Sequence, residues 1–226
     1  MKVKTLAYSQ YGRGGDLIAP FDEIFKNKFN AVSKGNLDGA DALVLWGGED
    51  VHPSFYKEPS HLRNDCRTGS LPTVRDVVEW ELMREAYARD IPIIGVCRGG
   101  QFLCVFSGGK LIQNCTGHYS GHGITTYDGL SIHAAANHHQ MMNPKPGTYD
   151  LLAWAETQMA KDMEDGWHKP ATGELIDQKL DPEVIWFRDV KGLAIQPHPE
   201  WMPHSSKFCE WTLKQIEHFC FKSATV

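Results

Sequence analysis

Apolar residues in the first half of the chain occur in short runs separated by longer, more polar stretches. Val3–Tyr8 and Ala42–Trp46 predict strands, and the Gly47-Gly48 pair ends the second of them. Ile91–Val96 is apolar throughout, as expected of a strand in a sheet that is covered on both faces. Strands that alternate with helices are typical of βαβ units with a parallel sheet.

Two helical patterns flank this central strand. Thr73 can cap a helix, with Asp76 three residues later, and the helix should end near Asp90, just before a proline. Four apolar residues of this helix recur at every fourth position: Val74, Val78, Leu82 and Ala86. Gln101–Phe106 predicts a second, buried helix that two glycines close.

The second half carries shorter, glycine-punctuated apolar segments, which could pair antiparallel. The predicted strands are Gly123–Tyr127, Leu151–Trp154, Val184–Phe187 and Leu193–Gln196. Lys161–Leu180 is polar without a clean period, which indicates a loop, and Ser205–Phe221 fits a final helix. These elements predict one α/β domain over residues 1–226, three-layered, with a mostly parallel central sheet and a small antiparallel extension.

Length and charge narrow the function classes. A chain of 226 residues can bury a full core without disulfides or a metal. Its net charge of −5 argues against a nucleic-acid-binding surface, which needs a basic surplus. No apolar run approaches the ~20 residues that cross a bilayer, and the apolar part of Met1–Leu6 is too short for a secretory signal. We therefore expect a cytoplasmic protein with neither nucleic acid nor membrane as a partner.

The 6 cysteines and 11 histidines raise the question of which of them carry chemistry. A disulfide framework is not expected in a chain of this length without a secretory signal, and free cysteines are mostly small packing residues. Cys104, Cys209 and Cys220 lie in predicted helices, where packing is the expected role. Cys66 and Cys115 lie in predicted loops, with no base placed beside them by the sequence. Cys97 stands apart from these.

Cys97 lies between Gly95 and Gly99, at the junction of the central strand and the following helix. G-x-C-x-G is the thiol counterpart of the serine elbow of hydrolases, which exposes a nucleophile on a sharp turn. The helix N-terminus favours the thiolate, and its N–H groups can hold an oxyanion. A buried structural cysteine in a tight turn would give the same short pattern, so the elbow alone leaves both interpretations open.

His198 and Glu200 supply what a thiol nucleophile needs. The thiol requires an imidazole, and the imidazole requires a carboxylate or amide that keeps it in one tautomer. In an extended segment two residues apart, both side chains project to the same side, so Glu200 can orient His198 towards Cys97. A His-Pro-Glu segment directly after a predicted strand favours a Cys-His-Glu triad over a surface turn.

The segments Gly95–Gln101 (GVCRGGQ) and His198–Glu200 (HPE) resemble the class I glutamine amidotransferases. The resemblance follows nearly the whole chain in order. It implies a flavodoxin-like fold and a glutamyl thioester intermediate, with no metal or organic cofactor in the reaction. It also implies the role of each site residue: Cys97 as nucleophile, His198 as general base and acid, Glu200 as its orienter, Gly47, Gly48 and the backbone of Arg98 as oxyanion hole, and Gln101 and His139 as substrate contacts.

A narrower similarity is to the γ-glutamyl-γ-aminobutyrate hydrolases. Gly47–Glu58 resembles their G-G-x-D-V-x-P-x-x-Y-x-E stretch, and Arg75–Glu79 resembles their R-D-x-x-E helix start. This similarity implies hydrolysis of γ-glutamyl-γ-aminobutyrate or a related γ-glutamyl amine without a partner protein. Asp50 and His52 could instead form only a hydrogen-bond cluster that closes the loop.

Two positions depart from the family pattern and leave the substrate open. Pro197 precedes the catalytic histidine where Trp is common, and Gly100 stands where a bulkier residue is frequent, which predicts a looser elbow.

One alternative function is a glutaminase subunit that supplies ammonia to a separate synthetase. Another is an inactive binding module, against which the complete triad counts.

Five histidines lie in one stretch between Gly117 and Gln140: His118, His122, His133, His138 and His139. Neutral imidazole is a common metal ligand. The spacings H-x₃-H and H-H match no tight zinc signature, however, and Asp128 is the one acidic residue close to them. The sequence therefore predicts structural or pocket roles for these residues and no metal site.

Overall fold

The computed structural model describes residues 4–9, 29–34, 36–60, 63–66, 71–156 and 180–221. The predicted loop at 161–180 lies, up to residue 179, outside the described residues. In chain order the strands are β1 Lys4–Tyr8, β2 Phe29–Lys34, β3 Ala42–Leu45, β4 Ile93–Val96, β5 Lys110–Ile112, β6 His122–Thr126, β7 Ser131–Ala134, β8 Met141–Asn143, β9 Tyr149–Ala155, β10 Pro182–Phe187 and β11 Gly192–Ile195. The α-helices are α1 Val74–Ala88, α2 Arg98–Phe106 and α3 Lys207–Gln215, the last continuing as a π-helical segment, Ile216–Phe221.

Nine of these strands form one sheet in the order β2-β1-β3-β4-β11-β10-β9-β6-β7. The pairs from β2 to β11 are parallel, whereas β10, β9, β6 and β7 add on as antiparallel neighbours. β5 and β8 form a separate antiparallel ribbon. The predicted α/β fold with a mostly parallel sheet and an antiparallel extension is confirmed.

The strands that the sequence does not predict are short or polar. β5 and β8 have 3 residues each and β7 has 4, too few for a period to show. β2 (FNAVSK) carries three polar residues in 6. β11 is predicted in the antiparallel half, yet it pairs parallel with β4 and antiparallel with β10. It therefore joins the two halves of the sheet and delivers the segment that follows it to the carboxyl end of β4.

Two separate groups of buried apolar side chains lie on opposite faces of the sheet. One face packs against α3, and its members include Tyr8, Val44, Val96, Phe208 and Trp211. The other packs against α1 and α2, and its members include Leu43, Leu45, Leu82, Met83, Phe102 and Leu103. β3 supplies both groups because successive side chains of a strand point to opposite faces. None of the helices in the described ranges has the length and apolar character needed to cross a membrane.

The buried face of α1 differs from the predicted one. Thr73 caps the helix through a capping box with Asp76, as predicted, but Val74 is 68% exposed. Two carboxylates, Asp76 and Glu79, are fully buried in its place. They are buried because both bind the guanidinium of Arg98, a long-range contact that hydrophobic periodicity does not register.

Glycines at the start of α2 allow backbone segments to approach each other closely. A Cβ on Gly99 would overlap the carbonyl oxygen of Leu45 in β3, and one on Gly95 would overlap the Gly99 carbonyl. A Cβ on Gly100 would lie 3.2 Å from the Gly95 oxygen and the Ile195 nitrogen, so the elbow is tight at Gly100 rather than loose. The glycines of the G-x-C-x-G pattern therefore serve helix-to-strand packing.

We expect Gly99→Ala to lower the free energy of unfolding by about 1–3 kcal/mol, because the new methyl group meets rigid backbone rather than a flexible side chain. Gly100→Ala is the matched control on the same helix. The Gly-to-Ala change favours the helix by the same amount at both positions, about 1 kcal/mol. At position 100, however, the new methyl group makes a longer backbone contact, of 3.2 Å. Urea denaturation of both variants measures the difference, and equal midpoints would contradict the packing role of Gly99.

Candidate functional site

Cys97 occupies the turn between β4 and α2. Its backbone has φ 51° and ψ −112°, a left-handed conformation that is unusual for a residue with a side chain. The turn is held on both sides, because Cys97 N–H donates to Ile195 O (2.7 Å) and Gln101 N–H donates to Cys97 O (3.0 Å). The side chain is 7% exposed and lines a cleft. The predicted elbow is therefore present, with its thiol facing that cleft.

His198 follows β11 at the same end of the sheet. Its Nδ1 donates to Glu200 Oε1 at 2.6 Å, which leaves Nε2 without a hydrogen-bond partner among the described residues. Burial alone would lower the pKa of His198, but the adjacent Cys97 and Glu200 raise it to about 10. Its backbone N–H donates to Ala135 O at 2.8 Å. Glu200 thus fixes the orientation of the imidazole, with Nδ1 on Glu200 and Nε2 on the side of Cys97.

Trp201 is a part of this site that the sequence reasoning missed. Its ring stacks on the His198 imidazole, with centroids 3.6 Å apart and planes 6° from parallel. A stacked indole restricts rotation of the imidazole and stabilises its cationic form. The short 3₁₀ helix Pro199–Trp201 places the ring there, and the order His-Pro-Glu-Trp was the available signal. The indole is 57% exposed, so it also forms part of the outer wall of the cleft.

Arg75 orients the peptide groups of the Gly47-Gly48 turn. Its Nη2 donates to Trp46 O at 2.8 Å and to Gly47 O at 3.1 Å. In a trans peptide the N–H points opposite to the C=O, so the N–H groups of Gly47 and Gly48 point away from Arg75. Gly47 also borders Cys97 and His198, because a Cβ there would lie 3.1 Å from His198 Cε1 and 3.4 Å from Cys97 Cβ.

Arg98 contributes its backbone and its side chain to different structures. The guanidinium is 2% exposed and bonds Asp76 and Glu79 of α1. Glu79 also accepts from Arg75 Nε (3.0 Å) and Ser9 Oγ (2.7 Å). The N–H of Arg98 lies in the first turn of α2, where no intrahelical acceptor exists. The buried ion pairs of Arg75 and Arg98 with Glu79 therefore connect the Gly47-Gly48 turn to the turn at Cys97. Each of these two turns has backbone N–H groups without a helical acceptor.

Gln101 and His139, the predicted substrate contacts, both line the cleft but are also engaged with the protein. Gln101 Nε2 donates to Gln140 O at 2.8 Å and to Gln196 Oε1 at 3.3 Å. His139 Nε2 lies 3.1 Å from Asp50 Oδ1. The side chain of Gln140 is 1% exposed and lines the cleft, with neither amide atom hydrogen-bonded among the described residues. The sequence predicted a substrate contact in this segment, at His139, but not at Gln140.

Asp50 and His52 have loop-closing contacts. Asp50 Oδ2 accepts from the Asp65 N–H (2.7 Å), and His52 Nδ1 accepts from the Ser54 N–H (3.2 Å) at the start of a 3₁₀ turn. These contacts close the loop, as in the alternative interpretation, but Asp50 also lines the cleft. None of the six cysteines forms a disulfide, and Cys104, Cys115 and Cys209 are buried.

The cleft has a volume of about 540 Å³, a size suited to a small-molecule ligand. It is lined by Cys97 and His198 and by the carboxylates of Glu49, Asp50 and Asp65. A thiol beside an oriented imidazole, with N–H groups close by, is an arrangement for acyl transfer. The acidic wall suits a substrate that carries an ammonium group.

Comparison of the sequence with known families and proteins identifies its relatives. Residues 24–162 match the family model described as Peptidase C26. Protein NtpR of Enterococcus hirae is 30% identical over 189 residues, 75% of this chain and 70% of that protein. The glutamine amidotransferase-like protein YvdE of Lactococcus lactis is 30% identical over 82% of this chain and 72% of that protein. The match to the Mycobacterium tuberculosis protein Rv2859c, 38% identical, spans 44% of this chain and only 32% of that relative.

Solved structures share the fold at low sequence identity. PurLQS from Thermotoga maritima superimposes with a TM-score of 0.62 at 14% identity, over 97% of this chain and 99% of that one. A glutamine amidotransferase from Thermotoga maritima superimposes with a TM-score of 0.57 at 13% identity, over 98% of this chain and 87% of that one. A protein from Thermoplasma acidophilum, proposed to be GMP synthase subunit a, superimposes with a TM-score of 0.62 at 16% identity, over 97% of this chain and 95% of that one. These likenesses show the class I glutamine amidotransferase fold.

Proposed function

The chain belongs to the peptidase C26 family, whose relatives are glutamine amidotransferase-like proteins, and from this premise we propose that it hydrolyses γ-glutamyl amides through a Cys97-His198-Glu200 triad. The observation that carries the proposal is the placement of the Cys97 thiol beside His198, whose Nδ1 is bound by Glu200 at 2.6 Å. The preferred substrate is γ-glutamyl-γ-aminobutyrate or a related γ-glutamyl amine.

The first half-reaction forms the acyl-enzyme. The Cys97 thiolate attacks the γ-carbonyl carbon, a C–S bond forms, and the carbonyl oxygen becomes an oxyanion. The N–H groups of Gly47, Gly48 and Arg98 hold this charge, and one such donor is typically worth about 3 kcal/mol in the transition state. His198 then protonates the amine nitrogen, the C–N bond breaks, and the amine leaves the glutamyl thioester.

The second half-reaction releases glutamate. His198 takes a proton from water, whose oxygen attacks the thioester carbon. The C–S bond then breaks, glutamate leaves, and Cys97 returns to the thiolate. The buried Glu200 keeps His198 in the required tautomer throughout, and the stacked Trp201 holds the plane of the ring. The mechanism uses no metal and no organic cofactor.

The shape and charge of the cleft support a γ-glutamyl amine as substrate. A volume of about 540 Å³ accommodates a glutamyl group together with a small amine. The carboxylates of Glu49, Asp50 and Asp65 attract the α-ammonium of the glutamyl group or a second amine on the leaving group. Gln140 offers a buried, unpaired amide for the polar atoms of the same substrate.

A panel of substrates tests the proposal. We expect the purified chain alone to release glutamate from at least one of γ-glutamyl-γ-aminobutyrate and γ-glutamyl diamines, with kcat/KM at least about tenfold above that for glutamine. Cys97→Ala protein serves as the blank. Absence of glutamate release from every γ-glutamyl amine would contradict the proposal.

The second candidate function is a glutaminase subunit that supplies ammonia to a separate synthetase. One structural neighbour is a protein proposed to be GMP synthase subunit a, and the fold is shared over 97% of this chain. In this case glutamine is the substrate, and its hydrolysis rises when the synthetase is added. An inactive binding module is the least supported function, because the whole triad is present and oriented.

A further inference from the structure

Three ionisable side chains converge in the protein interior beside the cleft, and one of them, His138, also lines it. His118 precedes β6, His138 lies between β7 and β8, and Glu183 is on β10. They are 0%, 5% and 0% exposed, and a ligand atom from each lies within 4.8 Å of the other two. The backbone reinforces the cluster, because His138 N–H donates to His118 O at 2.9 Å.

Hydrogen bonds on the outer side of each imidazole determine which nitrogen faces the centre. With His118 Nε2 donating to the carboxylate of Asp181 at 3.1 Å, its Nδ1 faces the Glu183 carboxylate, 3.2 Å from Oε1. His138 Nδ1 donates to the carbonyl of Gln140 at 2.8 Å, so its Nε2 is the free nitrogen. An imidazole whose far N–H is held by a carboxylate or a carbonyl is the usual arrangement of a metal-binding histidine.

Three atoms at the centre have no hydrogen-bond partner among the described residues: His118 Nδ1, His138 Nε2 and Glu183 Oε2. Glu183 Oε1 accepts from His122 Nε2 at 2.7 Å, so the carboxylate is positioned but keeps one oxygen unused. All three are lone-pair atoms, and buried acceptors without a donor are costly. If His118 Nδ1 carried a proton, it could donate a hydrogen bond to Glu183, but His138 Nε2 would still have no donor.

We propose that His118 Nδ1, His138 Nε2 and Glu183 bind one divalent transition-metal ion, with zinc as the first candidate. Two imidazoles and a carboxylate form a common three-ligand zinc set. Zinc bonds of 2.0–2.1 Å place tetrahedral ligands about 3.3 Å apart. His118 Nδ1 lies 3.2 Å from the Glu183 carboxylate, measured to Oε1, the oxygen that also accepts from His122. The dication would also balance the buried charges of Asp181 and Glu183.

The location of the cluster indicates a structural role that is separate from the chemistry of Cys97. His138 belongs to the segment that lines the cleft, and Gln140, two residues on, contacts Gln101. The Glu183 carbonyl accepts from Gln196 N–H at 2.8 Å, two residues before His198. A metal here would join the cleft wall to the strand pair that carries the catalytic histidine.

Metal content tests this inference without reference to activity. The tag-free chain is prepared as Cys97→Ala, so that the proposed nucleophile cannot bind metal, and is analysed by elemental mass spectrometry. We expect about one zinc per chain, removal by a chelator with a lower Tm, and recovery on adding Zn²⁺. Co²⁺ in place of zinc should give the visible absorption of a four-coordinate site with nitrogen and oxygen ligands.

Variants identify the ligands. His138→Ala and Glu183→Gln should each weaken Zn²⁺ binding by at least about 100-fold, and Asp181→Asn by about 10- to 100-fold. His133→Ala, an exposed histidine on β7, should bind normally. The proposal would be overturned by a Cys97→Ala chain that neither contains zinc nor takes up Zn²⁺ or Co²⁺. It would also be overturned by unchanged affinity in folded His138→Ala and Glu183→Gln protein.

Discussion

Replacement of Cys97 by alanine is expected to lower kcat for γ-glutamyl amide hydrolysis by roughly 10⁴- to 10⁶-fold. In the proposed mechanism the thiol supplies the atom that bonds to the substrate, and no other cysteine lines the cleft among the described residues. The triad acts as a unit, so His198→Ala should cost nearly as much, and the double variant should be no worse than either single variant. Steady-state glutamate release and mass detection of the glutamyl thioester measure the effect.

Cys66→Ala is the matched control for Cys97→Ala. Cys66 is a half-exposed cysteine outside any disulfide, on the loop after Asp65 and outside the triad. Its loss should leave kcat within about twofold of wild type. Thermal unfolding of each variant separates loss of chemistry from loss of fold. Glutamate release that persists at more than a few per cent in folded Cys97→Ala protein would remove Cys97 from the mechanism.

The second large effect is expected at Arg75, which we propose as a positioning residue. Arg75→Met should lower kcat by about 10²- to 10³-fold with little change in KM, the loss typical of one oxyanion donor. The reason is geometric: without the guanidinium, the Trp46 and Gly47 carbonyls are no longer held, and the N–H groups of Gly47 and Gly48 lose their direction. The protein should remain folded, because Arg98 and Ser9 still bind Glu79.

Arg84→Met is the control for Arg75→Met on the same helix. Arg84 is 63% exposed and pairs with Glu81, so its loss should change neither kcat nor KM. Arg75→Lys should recover only part of kcat, because an ammonium cannot bridge two carbonyls and a carboxylate as the planar guanidinium does. A rise in KM at constant kcat in Arg75→Met would contradict the oxyanion role and indicate substrate binding instead.

Local sequence signals were sufficient for the central strands, the capping box of α1 and the elbow at Cys97. β3 and β4 are buried on both faces, so their apolar runs are continuous, and the elbow and triad residues form short motifs near strand ends. The parallel pairing of β11 with β4, which brings His198 to the same end of the sheet as Cys97, was not predicted. The edges and ribbons were not predictable, because strands of 3 or 4 residues pair through partners distant in the chain.

The fold class and the three triad candidates could be predicted without the structure, because nucleophile, base and orienter occur in motifs whose geometry is local. The other groups that contact them depend on how the chain folds in space. Arg75 reaches the carbonyls of residues 46 and 47, and Trp201 lies flat on His198. Likewise, the spacing of His118 and His138 carries no metal signature without Glu183, which the sheet brings to them from more than 40 residues away. Coulombic and hydrogen-bond contacts depend on distance in space, and periodicity along the chain does not report it.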